Sequence, residues 1–410
     1  MMPHAPDERT RQDRRPGVLH LHDAADGRLA RIRVPGGWLG AGALLTLAAA
    51  AEQLGNRLLD ITARANLQLR GLRDDGDDDV AAQVAARLRG AGLLPSVAHD
   101  RARNVLASPL AGRAPGALDD VDDVVARLDA GICASDALCD LPARFCFLAD
   151  DGTGAGRETL PDVIVVARGG GRFGVALDGR ELDFEGDGPA AVGVALRAAE
   201  AFVDARGDAS RLSETPGGAQ TIAAALGRAL EPAARAVRTR TLGPGAVTQR
   251  DGRVALTALA PLGQLWPALL RELARLSPGG VRLSARRTVT LVDLDIGQVA
   301  PMREALTAVG LVLDGASGWI GLTACAGTGA CPRALLDVRS AACARALTRS
   351  ARDAGEHWAA CERRCGELPG TPVTVAASAI DRVAVGYHGA AWELPSLTSA
   401  AACLELEAAR

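Results

Sequence analysis

Cys325-Ala-Gly-Thr-Gly-Ala-Cys331 and Cys361-Glu-Arg-Arg-Cys365 are the two segments that decide the fold. Four thiolates in two close pairs are typical of a 4Fe-4S cluster, because each iron takes one protein sulfur and soft ligands favour iron. A zinc site is the nearest alternative, although its paired cysteines are usually separated by about two to four residues. The longer first gap, rich in Gly and Ala, favours a loop around a larger group. Purely structural cysteines are the third interpretation.

The composition predicts a soluble globular chain with two or three domains. It has 410 residues, 48% of them hydrophobic, and a formal net charge of -3. All 46 basic residues are Arg, and they are mixed with 49 acidic residues, so nucleic acid is not an expected partner. The longest apolar run, 39–51, is shorter than a bilayer span, which argues against a membrane. Nine cysteines and no signal peptide indicate the reducing cytoplasm.

The N-terminal part of the chain predicts a leader followed by a compact unit. Residues 1–17 mix charged residues with Pro and are expected to be disordered. Apolar runs after them predict strands around one helix, and Asp79 is placed to cap a second helix. The predicted strands span 18–22, 29–34, 58–62 and 67–72, and the predicted helices span 39–54 and 80–89.

The same order of elements returns in the second half of the chain. A strand at 254–260, a helix at 264–276 and a strand at 288–293 follow one another. When the strand–turn segments of the two halves are aligned, Thr62 falls on Ser284 and Arg64 on Arg286. This coincidence predicts an internal duplication. The alternative is that any two strand–helix–strand units would align as well.

A longer α/β segment follows each copy of the unit. The predicted helices include 118–128 after the first copy and 332–351 after the second. Only the second segment carries the four paired cysteines. The sequence therefore predicts one redox centre per chain.

Five segments, taken in order, resemble the sulfite and nitrite reductase family, whose members bind a 4Fe-4S cluster coupled to sirohaem. The resemblance covers about residues 17–400 and includes the two cysteine pairs. The other four segments are Arg33-Val-Pro-Gly-Gly37, Thr62-Ala-Arg-Ala-Asn-Leu-Gln-Leu-Arg-Gly71, Ala102-Arg-Asn-Val-Leu106 and Leu141-Pro-Ala-Arg-Phe145.

The resemblance implies an α+β chain with a duplicated sulfite/nitrite reductase fold. Two ferredoxin-like half-domains are expected, each followed by an α/β domain, and the second α/β domain is expected to bind the cluster. The expected limits are 1–17 for the leader, 18–75 and 239–296 for the half-domains, and 76–238 and 297–410 for the α/β domains.

The resemblance also implies a set of site residues. The metal ligands are Cys325, Cys331, Cys361 and Cys365, and the macrocycle contacts are Arg64, Asn66, Gln68 and Arg70. Arg33, Arg103, Arg144 and position 146 correspond to four cations that hold a small oxyanion in the family. Position 146 is Cys here, which weakens the reductase interpretation; the thiol would lie beside a macrocycle or fill a buried apolar space. Each Arg taken alone could be a solvated surface residue.

Within the family, the segments Arg15-Pro-Gly-Val-Leu-His20 and Leu141 to Gly152 are most similar to monooxygenases of aerobic cobalamin synthesis. This implies a tetrapyrrole substrate, precorrin-3A, which O2 and reducing equivalents convert by hydroxylation at C20 with lactone formation. Such a substrate carries eight carboxylates, which suits a site rich in Arg. A sirohaem is then not expected, because the substrate fills its place.

The resemblance implies two further requirements that no motif in the chain answers. An additional non-haem iron is expected to activate O2, but a set of two His and one carboxylate cannot be located. There is no NAD domain, so an external donor, NADH-linked or ferredoxin-like, is expected. Two alternatives stay open: a sirohaem-dependent assimilatory sulfite or nitrite reductase, and a catalytically inactive tetrapyrrole-binding protein.

Overall fold

The computed structural model describes residues 16–74, 79–231 and 243–408. The predicted leader falls outside these residues up to position 15. The predicted domain limits at 75/76 and 238/239 also fall outside them, and the limits as a whole stay predictions.

The first unit is an antiparallel sheet with a helix of which one face is buried. Leu44, Leu47, Ala48 and Ala51 are fully buried on that helix, at the spacing of a single helical face. The predicted strand at 18–22 is wrong, because the Val18 amide donates to the Asp100 carboxylate instead of joining a ladder. The elements are β1 (His22–Ala24), β2 (Gly27–Ile32), β3 (Trp38–Leu39), α1 (Ala41–Gln53), β4 (Leu59–Ile61), β5 (Leu67–Leu72) and α2 (Val80–Gly90).

The Asp79 cap is confirmed, since its carboxylate accepts the Ala81 amide at 2.9 Å. The α/β segment that follows α2 starts its first helix later than predicted. The helix expected at 118–128 begins at Asp122, because the Leu118 amide donates to the Asp151 carbonyl at 2.7 Å. The elements are β6 (Val105–Ala107), α3 (Asp122–Ala134), β7 (Phe147–Asp150), β8 (Val163–Gly169), β9 (Arg172–Leu177), β10 (Arg180–Gly186), α4 (Gly188–Ala205) and α5 (Gly218–Ala225).

The second half of the chain repeats this order. The helix predicted at 332–351 is shorter, because Asp337 caps it at its start and a turn follows Ala346. The elements of the repeated unit are β11 (Gly245–Thr248), β12 (Val254–Leu259), β13 (Gln264–Leu265), α6 (Pro267–Leu276), β14 (Val281–Leu283), β15 (Thr288–Leu294) and α7 (Ile296–Ala308). Those of the second α/β segment are β16 (Leu322–Ala324), α8 (Val338–Ala346), β17 (Glu356–Ala359), β18 (Val373–Ala379), β19 (Arg382–Tyr387), β20 (Ala390–Leu394) and α9 (Leu397–Ala408).

The sheets show the duplication directly. One α/β sheet has the order β10-β9-β8-β7-β6 and the other β20-β19-β18-β17-β16. In both, the first three strands along the chain are parallel and the last two are antiparallel additions. The duplicated fold predicted from the sequence is confirmed.

The two half-domains exchange a strand. β13 pairs with β4, placing Leu265 opposite Leu59, and β3 pairs with β14, placing Leu39 opposite Val281. The resulting sheets have the equivalent orders β1-β2-β5-β4-β13 and β11-β12-β15-β14-β3. Helices α1 and α6 pack against each other, and one hydrophobic core extends through both half-domains. Each half-domain is therefore completed by the other.

Equivalent loops join β4 to β5 and β14 to β15. The Thr62 hydroxyl accepts the Arg64 amide at 3.3 Å, and the Ser284 hydroxyl accepts the Arg286 amide at 3.2 Å. The next residues, Ala65 and Arg287, have φ values of 54° and 60°. The hydroxyl–Arg coincidence in the sequence thus reflects one shared loop structure.

No helix among the described residues is long and apolar enough to cross a bilayer.

The α/β segments have hydrophobic cores of their own, one built around Phe145, Phe147 and Phe202 and the other around Trp358.

Leu44 and Leu45 test the packing of α1, since the first is fully buried and the second is 50% exposed. We expect Leu44→Ala to lower the free energy of unfolding by about 2–5 kcal/mol, because it leaves a cavity in the shared core. Leu45→Ala should change it by about 0.5 kcal/mol at most. Guanidinium unfolding followed by tryptophan fluorescence measures both, and equal effects would contradict this packing.

Candidate cofactor and ligand site

One cavity of about 720 Å³ lies where the first half-domain meets loops of both α/β segments. Strands β2 and β5 and the loop between β4 and β5 form one wall, and the loops that carry the paired cysteines form another. Arg103 and Cys361 are the predicted site residues that do not line it. Those that do are Arg33, Arg64, Asn66, Gln68, Arg70, Arg144, Cys325, Cys331 and Cys365.

The cysteine loops are brought together by two neighbouring parallel strands. β16 ends at Ala324, opposite Trp358 of β17, so the segments that follow leave the sheet at the same edge. The Ala360 amide donates to the Cys325 sulfur at 3.2 Å. The pKa of the Cys365 thiol is raised by burial and, next, by the negative charges of the Cys325, Cys361 and Cys331 thiolates. The other three cysteines therefore lie close enough to Cys365 to act on its charge.

Four soft thiolates are the ligand set that a 4Fe-4S cluster takes. A four-iron cluster takes one cysteine at each iron, so its ligands stand further apart than those of a zinc ion. An amide donating to the Cys325 sulfur is the kind of contact that stabilises a cluster thiolate. The donor set thus fits a 4Fe-4S cluster.

Two arginines fasten the first cysteine loop to the first half-domain. Arg70 on β5 donates to the Ala330 carbonyl at 2.7 Å and pairs with Asp26 at 3.0 Å. Arg339 on α8 donates to the Cys325 carbonyl at 3.1 Å and to Asp60 on β4 at 3.0 Å. Arg70, predicted as a macrocycle contact, thus lines the cavity while its guanidinium holds the loop.

The cavity is strongly basic. Among the described residues, two carboxylates line it, those of Asp60 and Glu367. The arginines that line it are Arg31, Arg33, Arg64, Arg70, Arg144, Arg211, Arg287 and Arg339. Such an excess of guanidinium groups favours a ligand with several negative charges.

Arg33 is a buried cation held by neutral oxygens. Its guanidinium donates to Asn104 Oδ1 at 3.1 Å and to the carbonyls of Arg101 and Ala143 at 2.8 and 3.0 Å. Burial, followed by the positive charge of Arg31, lowers the pKa of Arg33 to about 9. Asn66 supports this arrangement by donating to Asn104 Oδ1 at 2.8 Å. Arg33 therefore stays charged at neutral pH, and no carboxylate among the described residues forms an ion pair with it.

Arg64 is a second largely buried cation that has no ion pair among the described residues. Burial is the largest cause that lowers its pKa, and Cys146, Arg211, Asp162 and Arg144 act on it electrostatically. Its guanidinium makes no hydrogen bond or ion pair with any other residue that the structure describes. Arg64 is thus available to a ligand in the cavity.

The four positions expected to bind a small oxyanion do not all line the cavity. Arg33 and Arg144 line the cavity, and Arg144 also pairs with Glu214. Arg103 is 2% exposed, and its guanidinium is occupied by Asp129 Oδ1 and Oδ2 at 2.7 and 2.8 Å. Cys146 is fully buried in the hydrophobic core, and burial raises the pKa of its thiol to about 11. Arg64, Arg211 and Arg33, which line the cavity, act on this thiol electrostatically, so both roles considered for Cys146 stay predictions.

Several cavity residues were not predicted from the sequence. Arg211 pairs with Asp162 at 2.7 Å, and no motif marks either residue. Arg287 directly follows Arg286 in the repeated loop, and this position in the duplicated motif could have marked it as a cavity residue. Arg286, aligned with Arg64, does not line the cavity and lies 3.3 Å from Glu158 instead. The aligned position therefore serves different purposes in the two halves.

The equivalent face of the second half-domain is closed. Its Thr257 and Thr290 hydroxyls bond to each other at 3.0 Å in a buried position. Leu110, Ala114 and Ala117 pack onto this face beside Ala255. The duplication has thus left one open cavity of this type among the described residues.

Comparison with known proteins agrees with this fold. Residues 22–87 and 247–309 match the nitrite/sulfite reductase ferredoxin-like half domain. A precorrin-3B synthase from a Sinorhizobium species is 29% identical over 153 residues, which are 37% of this chain and 31% of the relative. The structure of the Mycobacterium tuberculosis NirA protein superposes with a TM-score of 0.72 at 18% identity, covering 89% of this chain and 73% of NirA. The matches show that this chain contains two ferredoxin-like half domains of the nitrite/sulfite reductase kind and shares the fold of NirA.

Proposed function

We propose that this chain is a cytoplasmic oxidoreductase of the precorrin-3B synthase type. It would use O2 to hydroxylate precorrin-3A at C20, with lactone formation, in aerobic cobalamin synthesis. The observation that carries the proposal is an arginine-lined cavity with three of the four paired cysteines in its wall. The similarity to a precorrin-3B synthase over part of the chain supports the same activity.

The cavity suits a tetrapyrrole with carboxylates on its rim. Leu29, Ile61 and Leu262 provide apolar surface for a flat macrocycle, and the arginines stand around it. Arg33 and Arg64 have no paired carboxylate of their own among the described residues. A guanidinium binds a carboxylate through two parallel hydrogen bonds, so these two residues would fix the orientation of the ligand.

Cys325, Cys331, Cys361 and Cys365 would hold the 4Fe-4S cluster. When bound, such a cluster supplies single electrons beside the cavity. Arg70 and Arg339 keep the first cysteine loop against the first half-domain, which fixes the distance between ligand and cluster site. Hydroxylation places one oxygen atom of O2 on the substrate and the other in water, and it consumes two electrons and two protons. An external donor, NADH-linked or ferredoxin-like, would supply the electrons.

A sirohaem-dependent sulfite or nitrite reductase is the second candidate, since the half-domain matches favour it. Reduction of a small oxyanion depends on cations that neutralise its developing charge. Arg103 is paired with Asp129 and Cys146 is a neutral buried thiol, so two of the four positions cannot serve in that way. The tetrapyrrole monooxygenase is therefore the better-supported activity.

The purified chain should convert precorrin-3A only in the presence of O2 and a reductant. With ¹⁸O2, we expect one labelled oxygen atom in the product, because the hydroxyl oxygen comes from O2. Mass spectrometry of the product measures the label. An intense haem-like absorption band together with sulfite or nitrite turnover would support the second candidate. Tight macrocycle binding without any product would indicate an inactive binding protein.

Cys361 and Cys343 test the cluster ligands as a matched pair in the same α/β segment. We expect Cys361→Ser to remove most of the iron and acid-labile sulfide, because each iron of a 4Fe-4S cluster takes one cysteine thiolate. Cys343 is exposed on α8 and outside both pairs, so Cys343→Ser should keep the full content. Chemical iron and sulfide analysis measures both variants. A Cys361→Ser protein with normal iron would refute the assignment.

Arg64 and Arg103 test the division of roles among the arginines. We expect Arg64→Gln to raise the KM for precorrin-3A about tenfold or more, because a charged hydrogen bond to the ligand is lost. Its stability should not change. Arg103→Gln should instead lower the free energy of unfolding by about 2 kcal/mol, since Asp129 loses its partner. Steady-state kinetics and denaturant unfolding separate these outcomes, and the reverse pattern would contradict the structure.

A further inference from the structure

Arg287 is the second-half counterpart of Ala65, but it carries a long side chain into the cavity wall. Its φ of 60° is unusual for such a residue. The loop is held by the Ser284 amide, which donates to the Thr288 carbonyl at 3.1 Å, and by the two hydroxyls of these residues at 2.6 Å. The loop therefore fixes the direction in which the Arg287 side chain leaves the backbone.

The Arg287 guanidinium is only partly bonded. The residue is 4% exposed, and Nη2 donates to the Gly366 carbonyl at 3.1 Å. Nη1 is buried and has no hydrogen-bond partner among the described residues. Burial is the main cause that lowers the pKa of Arg287, to about 10, so the group remains a cation at neutral pH. A buried guanidinium with an unbonded nitrogen is costly unless a ligand completes it.

The nearest carboxylate does not complete it. Asp60 acts on Arg287 electrostatically, but it already bonds Arg339 at 3.0 Å and lies 4.0 Å from Arg70. Arg70 also pairs with Asp26, so two carboxylates, Asp26 and Asp60, face the guanidinium groups of Arg70, Arg287 and Arg339. The other carboxylate of the cavity wall, Glu367, accepts the Thr374 hydroxyl at 2.7 Å. Arg287 is thus left without an ion pair among the described residues.

His357 does not neutralise Arg287 either. A Cβ on Gly366 would meet Arg287 Nη2 at 3.2 Å and His357 Cε1 at 3.9 Å, so both side chains flank this glycine. The Thr323 hydroxyl donates to the Glu356 carbonyl at 3.1 Å and lies 2.8 Å from His357 Nδ1. Burial, followed by the positive charge of Arg287, lowers the pKa of His357 to about 3, and its Nε2 is buried without a partner among the described residues. A neutral imidazole adds no negative charge here.

We propose that Arg287 binds a carboxylate on the rim of the ligand at the cysteine-loop end of the cavity. Through its second nitrogen it holds Gly366, next to Cys365, so that ligand and cluster loop are bound by one guanidinium. Arg33 and Arg64 belong to the first half-domain and Arg287 to the second, so a ligand with several carboxylates would be held from both. The inference rests on the proposed function and adds a specificity residue to it.

Uroporphyrin III, a stable fluorescent macrocycle with eight carboxylates, is the probe. Its Kd for the full-length purified chain is measured by fluorescence quenching. We expect Arg287→Gln to raise this Kd about tenfold or more, as for the loss of a charged hydrogen bond. Arg287→Lys keeps the charge without the planar fork, and its Kd should lie between those of the wild type and Arg287→Gln.

Arg286→Gln is the matched control, because it removes the same charge from the adjacent residue, which does not line the cavity. We expect its Kd to stay within about twofold of the wild type, since a charge outside the site contributes little. Circular dichroism and iron content verify that each variant is folded and loaded. An unchanged Kd in Arg287→Gln, or an equal loss in Arg286→Gln, would overturn the assignment.

The failure of this inference can be told from the failure of the proposed function. A wild-type chain that binds uroporphyrin III through Arg287 but leaves precorrin-3A unchanged in air would refute the activity alone. A chain that converts precorrin-3A while Arg287→Gln binds the probe like the wild type would refute the role of Arg287 alone.

Discussion

The site depends on one buried carboxylate, that of Asp60 on β4. It accepts a hydrogen bond from Arg339, whose guanidinium also holds the Cys325 carbonyl, and it lies within 4.0 Å of Arg70. The cysteine-bearing segment is thus attached to the first half-domain by charge-assisted hydrogen bonds, which are stronger than neutral ones. Arg70 and the Ala25 amide, which both donate to the Ala330 carbonyl, add to this attachment. The ligand wall and the cysteine wall are thus joined as the two sides of one cavity.

The excess of positive charge in the cavity costs free energy in the unliganded protein. Burial lowers the pKa of Arg33 to about 9 and that of Arg287 to about 10, so both cations are kept charged at an unfavourable place. Folding tolerates this because hydrogen bonds to carbonyl groups satisfy part of each guanidinium. A ligand with several carboxylates would supply the missing partners. The charges are already fixed before the ligand arrives, so little ordering is needed on binding.

The sequence predicted those parts of the molecule that local chemistry determines. Thr62 and Ser284 revealed the duplication because each hydroxyl closes the same loop, and the cysteine pairs marked the loops after β16 and β17. The pairing of Arg103 with Asp129 could not be predicted, because Asp129 stands on a helix 26 residues away and no pattern links them. Arg211 and Arg339 became cavity residues through tertiary packing alone. Residues 332–337 continue an apparent helical pattern, yet the connection from Cys331 keeps them in a loop.

The exchange of β3 and β13 between the half-domains has an evolutionary consequence. A single half-domain with its α/β segment would have an incomplete sheet, and two identical copies could complete each other by the same exchange. This points to an ancestral homodimer with two equal clefts related by a twofold axis. Within one chain the two halves need not stay identical. One cleft is covered by Leu110 and its neighbours, and the other remains open.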